Sequence, residues 1–259
     1  MINENPIGLF DSGIGGTSIW KEVHALMPYE NTIYLADSKN APYGLKSKDE
    51  IIALSCKNTE FLLENNCKII VVACNTATTN AIKELRAKYN VPFIGIEPAI
   101  KPAALQSKTQ TIGILATKGT LNSELFHKNV ANHPDVKIIE QIGHGLVQLI
   151  ENGDMDSAEM EELLKSYLNP MVEKNIDYLV LGCSHYPYLI PQIKKIISPQ
   201  IKIIDSGEAV AKQTQKILEQ NNLLNLSKRK SSQIFYTNSE PEVLKNILGN
   251  CENVIYKNF

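Results

Sequence analysis

The stretch Ile69-Ile70-Val71-Val72-Ala73-Cys74, followed at once by Asn75-Thr76, is an apolar run without polar alternation. A strand of that pattern is buried on both faces, as in a parallel sheet covered by helices. A second stretch, Tyr178-Leu179-Val180-Leu181-Gly182-Cys183, repeats the arrangement and runs into Ser184-His185. Each run ends on a cysteine, and polar residues follow where a helix would start. Parallel α/β sheets bind ligands beyond the carboxyl ends of their strands, so both thiols fall where a site is expected.

Further short apolar runs predict strands at Ile7–Phe10, Thr32–Leu35, Phe93–Ile96, Thr111–Leu115, Lys137–Ile139 and Lys202–Ile204, beside Ile69–Ala73 and Tyr178–Leu181. Helical periodicity lies between them. Ile19, Val23 and Leu26 form one stripe after Gly16, and Leu164, Tyr167, Leu168 and Met171 form another. Ser47-Lys48-Asp49-Glu50 reads as a capping box opening a helix through Leu62. The alternation predicts an α/β architecture. There is also an internal echo: Cys74 follows Ile7-Gly8-Leu9-Phe10 at much the same separation as Cys183 follows Ile112-Gly113-Ile114-Leu115. Two related α/β units are expected, each placing a thiol at a strand end.

The chain has 259 residues, enough for two domains, with 43% hydrophobic and 21% charged residues, an ordinary globular balance. A formal net charge of −2 gives no electrostatic case for a nucleic-acid partner. Lys228-Arg229-Lys230 reads as a solvated loop. Met1 to Pro6 is polar and lacks a basic segment followed by a long apolar one, so no secretory signal is expected. No apolar run approaches the roughly 20 residues of a membrane span, and a soluble cytoplasmic protein is expected.

Cys56, Cys67, Cys74, Cys183 and Cys251 are odd in number and widely spaced, without a C-x-x-C pair, and the five histidines lack zinc-ligand spacing beside them. Neither a disulfide framework nor a metal site is expected. A single free cysteine is most often a packing residue, and Cys56, Cys67 and Cys251 are read so. The setting of Cys74 and Cys183 differs, because a helix N-terminus beside a thiol lowers its pKa.

Asp11-Ser12-Gly13-Ile14-Gly15-Gly16 follows the first strand. Its glycines allow a tight turn and let backbone N–H groups approach an anion. It is not a G-x-G-x-x-G fingerprint, and a small carboxylate fits such a turn as well as a phosphate, which Asp11 would repel. Asp11 is also placed to hold a proton beside a thiol. Cys183-Ser184-His185 sets an imidazole two residues from a thiol, as a base that helps deprotonate it. Pro42-Tyr43-Gly44 offers a hydroxyl and an N–H to a substrate, and Thr117 and Thr120 bring hydroxyls from the second unit.

These segments, with Ala73-Cys74-Asn75-Thr76-Ala77, Thr117-Lys118-Gly119-Thr120, Gly182-Cys183-Ser184-His185-Tyr186-Pro187 and Asp205-Ser206-Gly207, resemble the cofactor-independent aspartate/glutamate racemase family, and within it the glutamate racemases. The resemblance spans nearly the whole chain. It implies two flavodoxin-like parallel-sheet α/β domains related by a pseudo-twofold, with the active site between them. The first would take residues 1–97 plus 207–259, the second 98–206. It further implies interconversion of L- and D-glutamate with no cofactor and no metal, supply of D-glutamate for peptidoglycan, and a homodimer. Cys74 and Cys183 would be the acid/base pair, Asp11 assisting Cys74, and His185, with Glu151 behind it, assisting Cys183. Ser12, Tyr43, Gly44, Asn75, Thr76, Thr117, Thr120 and Ser184 would contact substrate, together with Asp11 and His185.

The chain departs from the family pattern at Ser184, where many members carry threonine, at Gly143–Gln148 and at Thr237–Pro241. No functional loss is attached to the last of these. Other readings are a racemase for another acidic amino acid, a cysteine hydrolase built on Cys183 and His185, a non-catalytic binding module, and a pyridoxal phosphate enzyme using Lys118.

Overall fold

The computed structural model describes residues 3–227 and 229–259. All eight predicted strands form: β1 Ile7–Asp11, β2 Thr32–Ala36, β3 Ile69–Val72, β4 Phe93–Gly95, β5 Thr111–Ala116, β6 Lys137–Ile142, β7 Tyr178–Gly182 and β8 Lys202–Ile204. Two more follow, β9 Gln233–Thr237 and β10 Val254–Tyr256. Sequence reading missed them because β10 is the edge strand and β9, beside it, is only partly buried, so neither carries a continuous apolar run. Ile255 and Tyr256 of β10 are exposed.

The strands make two parallel sheets, ordered β10-β9-β2-β1-β3-β4 and β6-β5-β7-β8. The internal echo is thus a repeat of topology: β2-β1-β3-β4 and β6-β5-β7-β8 have the same order. In sheets of this doubly wound type the order reverses beside the first strand, and the loops there splay to opposite sides and leave a crevice. Asp11-Ser12 leaves β1 and Cys74 follows β3, both at the first crevice. Thr117 leaves β5 and Cys183 follows β7, both at the second. The registers Phe10↔Val72 and Ala116↔Gly182 bring these ends level.

Helices cover the faces as the periodicity requires. In Thr17–Leu26 the residues Ile19 and Val23 are buried, but Leu26 is 38% exposed and Met27 is buried in its place, so the expected stripe shifts by one residue. Ala158–Glu173 buries Leu164, Leu168 and Met171, while Tyr167 is half-buried with its hydroxyl on the His144 carbonyl at 2.9 Å. Ser47 and Glu50 form the full capping box at the start of Lys48–Glu64. One apolar cluster runs through both halves, from Leu9 and Val71 to Leu115, Leu179 and Tyr186. The two sheets therefore pack with their crevices brought together. Arg229 and Lys230 are exposed as expected, and Lys228 lies outside the described residues. Among the described residues no helix is long and apolar enough to cross a membrane.

Candidate active site

Cys74 is the N-cap of the helix Asn75–Lys88, and the Ala77 amide donates to its Sγ at 3.4 Å. The Ser12 hydroxyl lies 3.6 Å from the sulfur. The expected lowering of this thiol's pKa is overturned. Burial, reinforced by the negative charge of Asp11, pushes it well above its ordinary value, and the Ala77 and Ser12 contacts only partly offset that. Asp11 itself is fully buried. It accepts from the Gly13 and Gly16 amides at 3.1 and 3.0 Å and from the Ser184 hydroxyl at 3.0 Å. Burial raises its carboxyl above the ordinary 3.8, against the opposing charge of His185.

Cys183 lies 3.8 Å from His185 Nδ1. The other ring nitrogen, Nε2, stands 2.5 Å from Glu151 Oε1. Burial alone would lower the pKa of His185, but the bonds to Cys183 and Glu151 and the charges of Asp11 and Glu151 together raise it well above 6.5. These partners favour the imidazolium, the conjugate acid of the base expected there. The Gly15 amide also reaches Nε2 at 3.3 Å, near the long limit of a hydrogen bond. The much shorter carboxylate contact decides that this nitrogen carries a proton.

The glycine loop takes an unexpected role. The Ile14 amide donates to Glu151 Oε1 at 2.7 Å, so the anion it holds is the protein's own. A β-carbon at Gly13 would overlap the Glu151 carboxylate, and one at Gly15 would overlap the His185 ring. These glycines let the first half seat a carboxylate–imidazole pair from the second.

Ser12, Tyr43, Gly44, Cys74, Asn75, Thr76, Thr117, Cys183, Ser184 and His185 line one cavity between the sheets, with Pro42 and Val147 completing its wall. Its volume is about 10 Å³, the size of a single water site, too small for an amino acid as it stands. Asp11, Glu151 and Thr120 stand behind it. Thr120 is fully buried and joins Thr76 at 3.2 Å and Thr117 at 3.1 Å, while Thr76 and Thr117 meet across the halves at 2.8 Å. Asn75 is 2% exposed, and neither polar atom of its amide has a protein partner. Buried amides are normally paired, so this one is free to meet a ligand in the cavity.

The Tyr43 hydroxyl is not turned toward substrate. It donates to Asp37 and accepts from Asn58 at 3.1 Å. Asn238 in turn donates to Asp37 at 2.5 Å and accepts from the Lys39 amide at 2.9 Å. The segment Thr237–Pro241, whose departure from the family pattern carries no expected functional loss, therefore buttresses the Pro42-Tyr43-Gly44 wall through Asn238. Asp37, Asn58, Asn238, Ser38 and Val147 were missed by sequence reading. The strand-end rule applied to β2 points to Asp37 and Ser38; nothing local marks the others. Lys118 is exposed and is not part of the cavity wall. Among the described residues no group of histidine, cysteine and acidic side chains is arranged to hold a metal ion. A larger groove of about 610 Å³ runs between the helices Asn75–Lys88 and Glu124–Ala131 but contains neither thiol.

Residues 17–214 match the family described as Asp/Glu/Hydantoin racemase. The chain belongs to the Asp/Glu racemase family. Within it, the chain is 42% identical to glutamate racemase of Herpetosiphon aurantiacus over 93% of its own length and 95% of that protein. The structure superposes on a glutamate racemase isoform of Bacillus anthracis with a TM-score of 0.89 at 30% identity, covering 99% of this chain and 98% of that one. It also matches Escherichia coli glutamate racemase, solved in complex with L-glutamate, with a TM-score of 0.86 at 31% identity and 98% coverage of each chain. As a racemase, the protein must handle an α-proton on two opposite faces of one carbon. Two thiols from separate sheets, lining one cavity, suit that demand.

Proposed function

We propose that this racemase interconverts L- and D-glutamate through Cys74 and Cys183, without a cofactor. The observation that carries the reading is the pair of thiols from equivalent strand ends bordering one cavity beside the unpartnered amide of Asn75. Cys183, as thiolate facing the His185 imidazolium, takes the α-proton of L-glutamate. Cys74, held neutral by burial, returns a proton to the opposite face, leaving D-glutamate, a Cys183 thiol and a Cys74 thiolate. The reverse sequence converts D to L. Asn75, the Thr76 and Thr117 hydroxyls, Ser12 and Ser184 supply donors to the substrate carboxylates. Such donors strengthen as the α-carbanion gains enolate character. The N-terminal dipole of Asn75–Lys88 supports the same charge.

The hydrolase alternative uses Cys183 with His185 and leaves the opposed Cys74 without a role. The glutamate racemases among the relatives favour glutamate over other acidic amino acids, and with it supply of D-glutamate for peptidoglycan in the cytoplasm. We further assign residues 1–97 plus 207–259 to one domain and 98–206 to the other. Pairing of β9 with β2, and packing of the helix Gly207–Gln220 against Thr17–Leu26, support the return of the chain to the first unit. A homodimer follows from the family resemblance, and light scattering checks it. The deciding experiment for function is circular dichroism of L-glutamate with purified protein and no added cofactor, beside L-aspartate. Decay of the glutamate signal to zero is expected; an unchanged signal removes the proposal.

A further inference from the structure

Glu151 belongs to the second half of the chain, yet the first half grips both of its carboxylate oxygens. Oε1 accepts from the Ile14 amide at 2.7 Å, beside His185 Nε2. Oε2 accepts from the Ser38 hydroxyl at 2.7 Å. Ser38 opens the short 3-10 turn after β2 and borders neither thiol nor the cavity. A carboxylate held on one oxygen can turn about its last bond, whereas donors on both oxygens fix its plane and so the ring it holds.

We propose that Ser38 is a positioning residue that, with the Ile14 amide, makes alignment of His185 against Cys183 conditional on closure of the two halves. The closed cavity of about 10 Å³ admits no amino acid, so substrate enters an opened cleft. On opening, the Ile14 and Ser38 donors leave with the first half, while Glu151, His185 and Cys183 stay with the second. The Ser184–Asp11 and Thr76–Thr117 bonds also cross the halves and part in the same motion. The Cys183 side is therefore complete only when the halves are closed, which keeps its charged pair from acting in open solvent. This inference rests on the two-thiol reading above.

The test compares wild type with Ser38→Ala and Ser38→Thr. Racemisation is followed from both enantiomers by circular dichroism, and the His185 ring N–H is observed by proton NMR of the free protein, assigned with His185→Gln. Loss of one hydrogen bond to a charged group predicts that Ser38→Ala lowers kcat about tenfold in both directions, with KM within about twofold. Because enantiomers have equal free energy, kcat/KM falls by the same factor for each. Ser38→Thr keeps the hydroxyl and restores kcat to within about twofold of wild type on the same arithmetic. The low-field ring proton persists in wild type and Ser38→Thr and is lost to exchange in Ser38→Ala. Wild-type kcat in Ser38→Ala, a loss that threonine does not recover, or an unchanged ring proton each overturns the inference. Absence of racemisation by wild type overturns the proposed function instead, and the ring proton, read without turnover, still decides whether Ser38 holds Glu151.

Discussion

Cys74 and Cys183 occupy equivalent positions after β3 and β7, but the chain continues differently beyond them. After Cys74 it enters a helix of 14 residues, whose Ala77 amide points at the sulfur. After Cys183 it enters the short 3-10 turn Tyr186–Leu189 and offers an imidazolium in place of helix amides. The first half supports charge with peptide dipoles, the second with a formal charge backed by Glu151. The difference shows that topological position alone does not set a thiol's protonation. On the Cys74 side, burial and the Asp11 charge outweigh the helix and favour the neutral thiol. The proposed turnover from L-glutamate needs one donor and one acceptor, and the two sides differ in the way that division of roles requires.

Replacing each thiol breaks the comparison most directly. Cys74→Ser and Cys183→Ser should each lower kcat by about 10²–10⁴-fold, the scale of a lost general acid or base, measured by circular dichroism. Their residual chemistry should differ. In deuterated water, proton NMR should show slow α-exchange into L-glutamate for Cys74→Ser and into D-glutamate for Cys183→Ser. Near-wild-type racemisation by either variant removes the two-thiol mechanism. Gly13→Ala strikes only the seat that the first half provides for Glu151. A displacement there of the order of 1 Å predicts about a hundredfold lower kcat with the fold retained by far-UV circular dichroism. A kinetically silent Gly13→Ala would show that the seat is not needed.

Asn75→Ala tests the first half as a binding surface. Removing a donor to a carboxylate predicts KM raised about tenfold, with a smaller change in kcat. A fall in kcat with KM unchanged would move Asn75 from ground-state binding to the transition state. The smallest expected effect is on stability. Since the folded pKa of His185 lies above 6.5, the charged ring contributes stability that is fully present below that pH and is lost as pH rises through the folded value. Each unit of elevation corresponds to about 1.4 kcal/mol. The stability gap between wild type and His185→Gln, read from urea unfolding, should therefore be widest below pH 6.5 and narrow in alkali. A gap that does not change with pH contradicts the imidazolium.

The sequence by itself determined the strands of both sheets except β9 and β10, the repeated unit, and the two thiols at strand ends. Those features are local: apolar runs mark strands buried on both faces, and the residue after such a run must lie at the carboxyl edge. It also brought out Asp11, Asn75, Thr76, Thr117, Ser184 and His185, which stand within a few residues of an edge. Tertiary structure alone decided what each of these meets. The glycine loop, read as a seat for a substrate carboxylate, holds Glu151 from 137 residues away, and Ser38 grips it across 113. Asn238 reaches Asp37 across 201 residues and turns the Tyr43 hydroxyl from the cavity. The charge on His185 and the raised pKa of Cys74 follow from the same closure. Burial between two packed halves, together with which carboxylate ends beside which ring or thiol, fixes them, and neither is written in the residues adjacent in sequence.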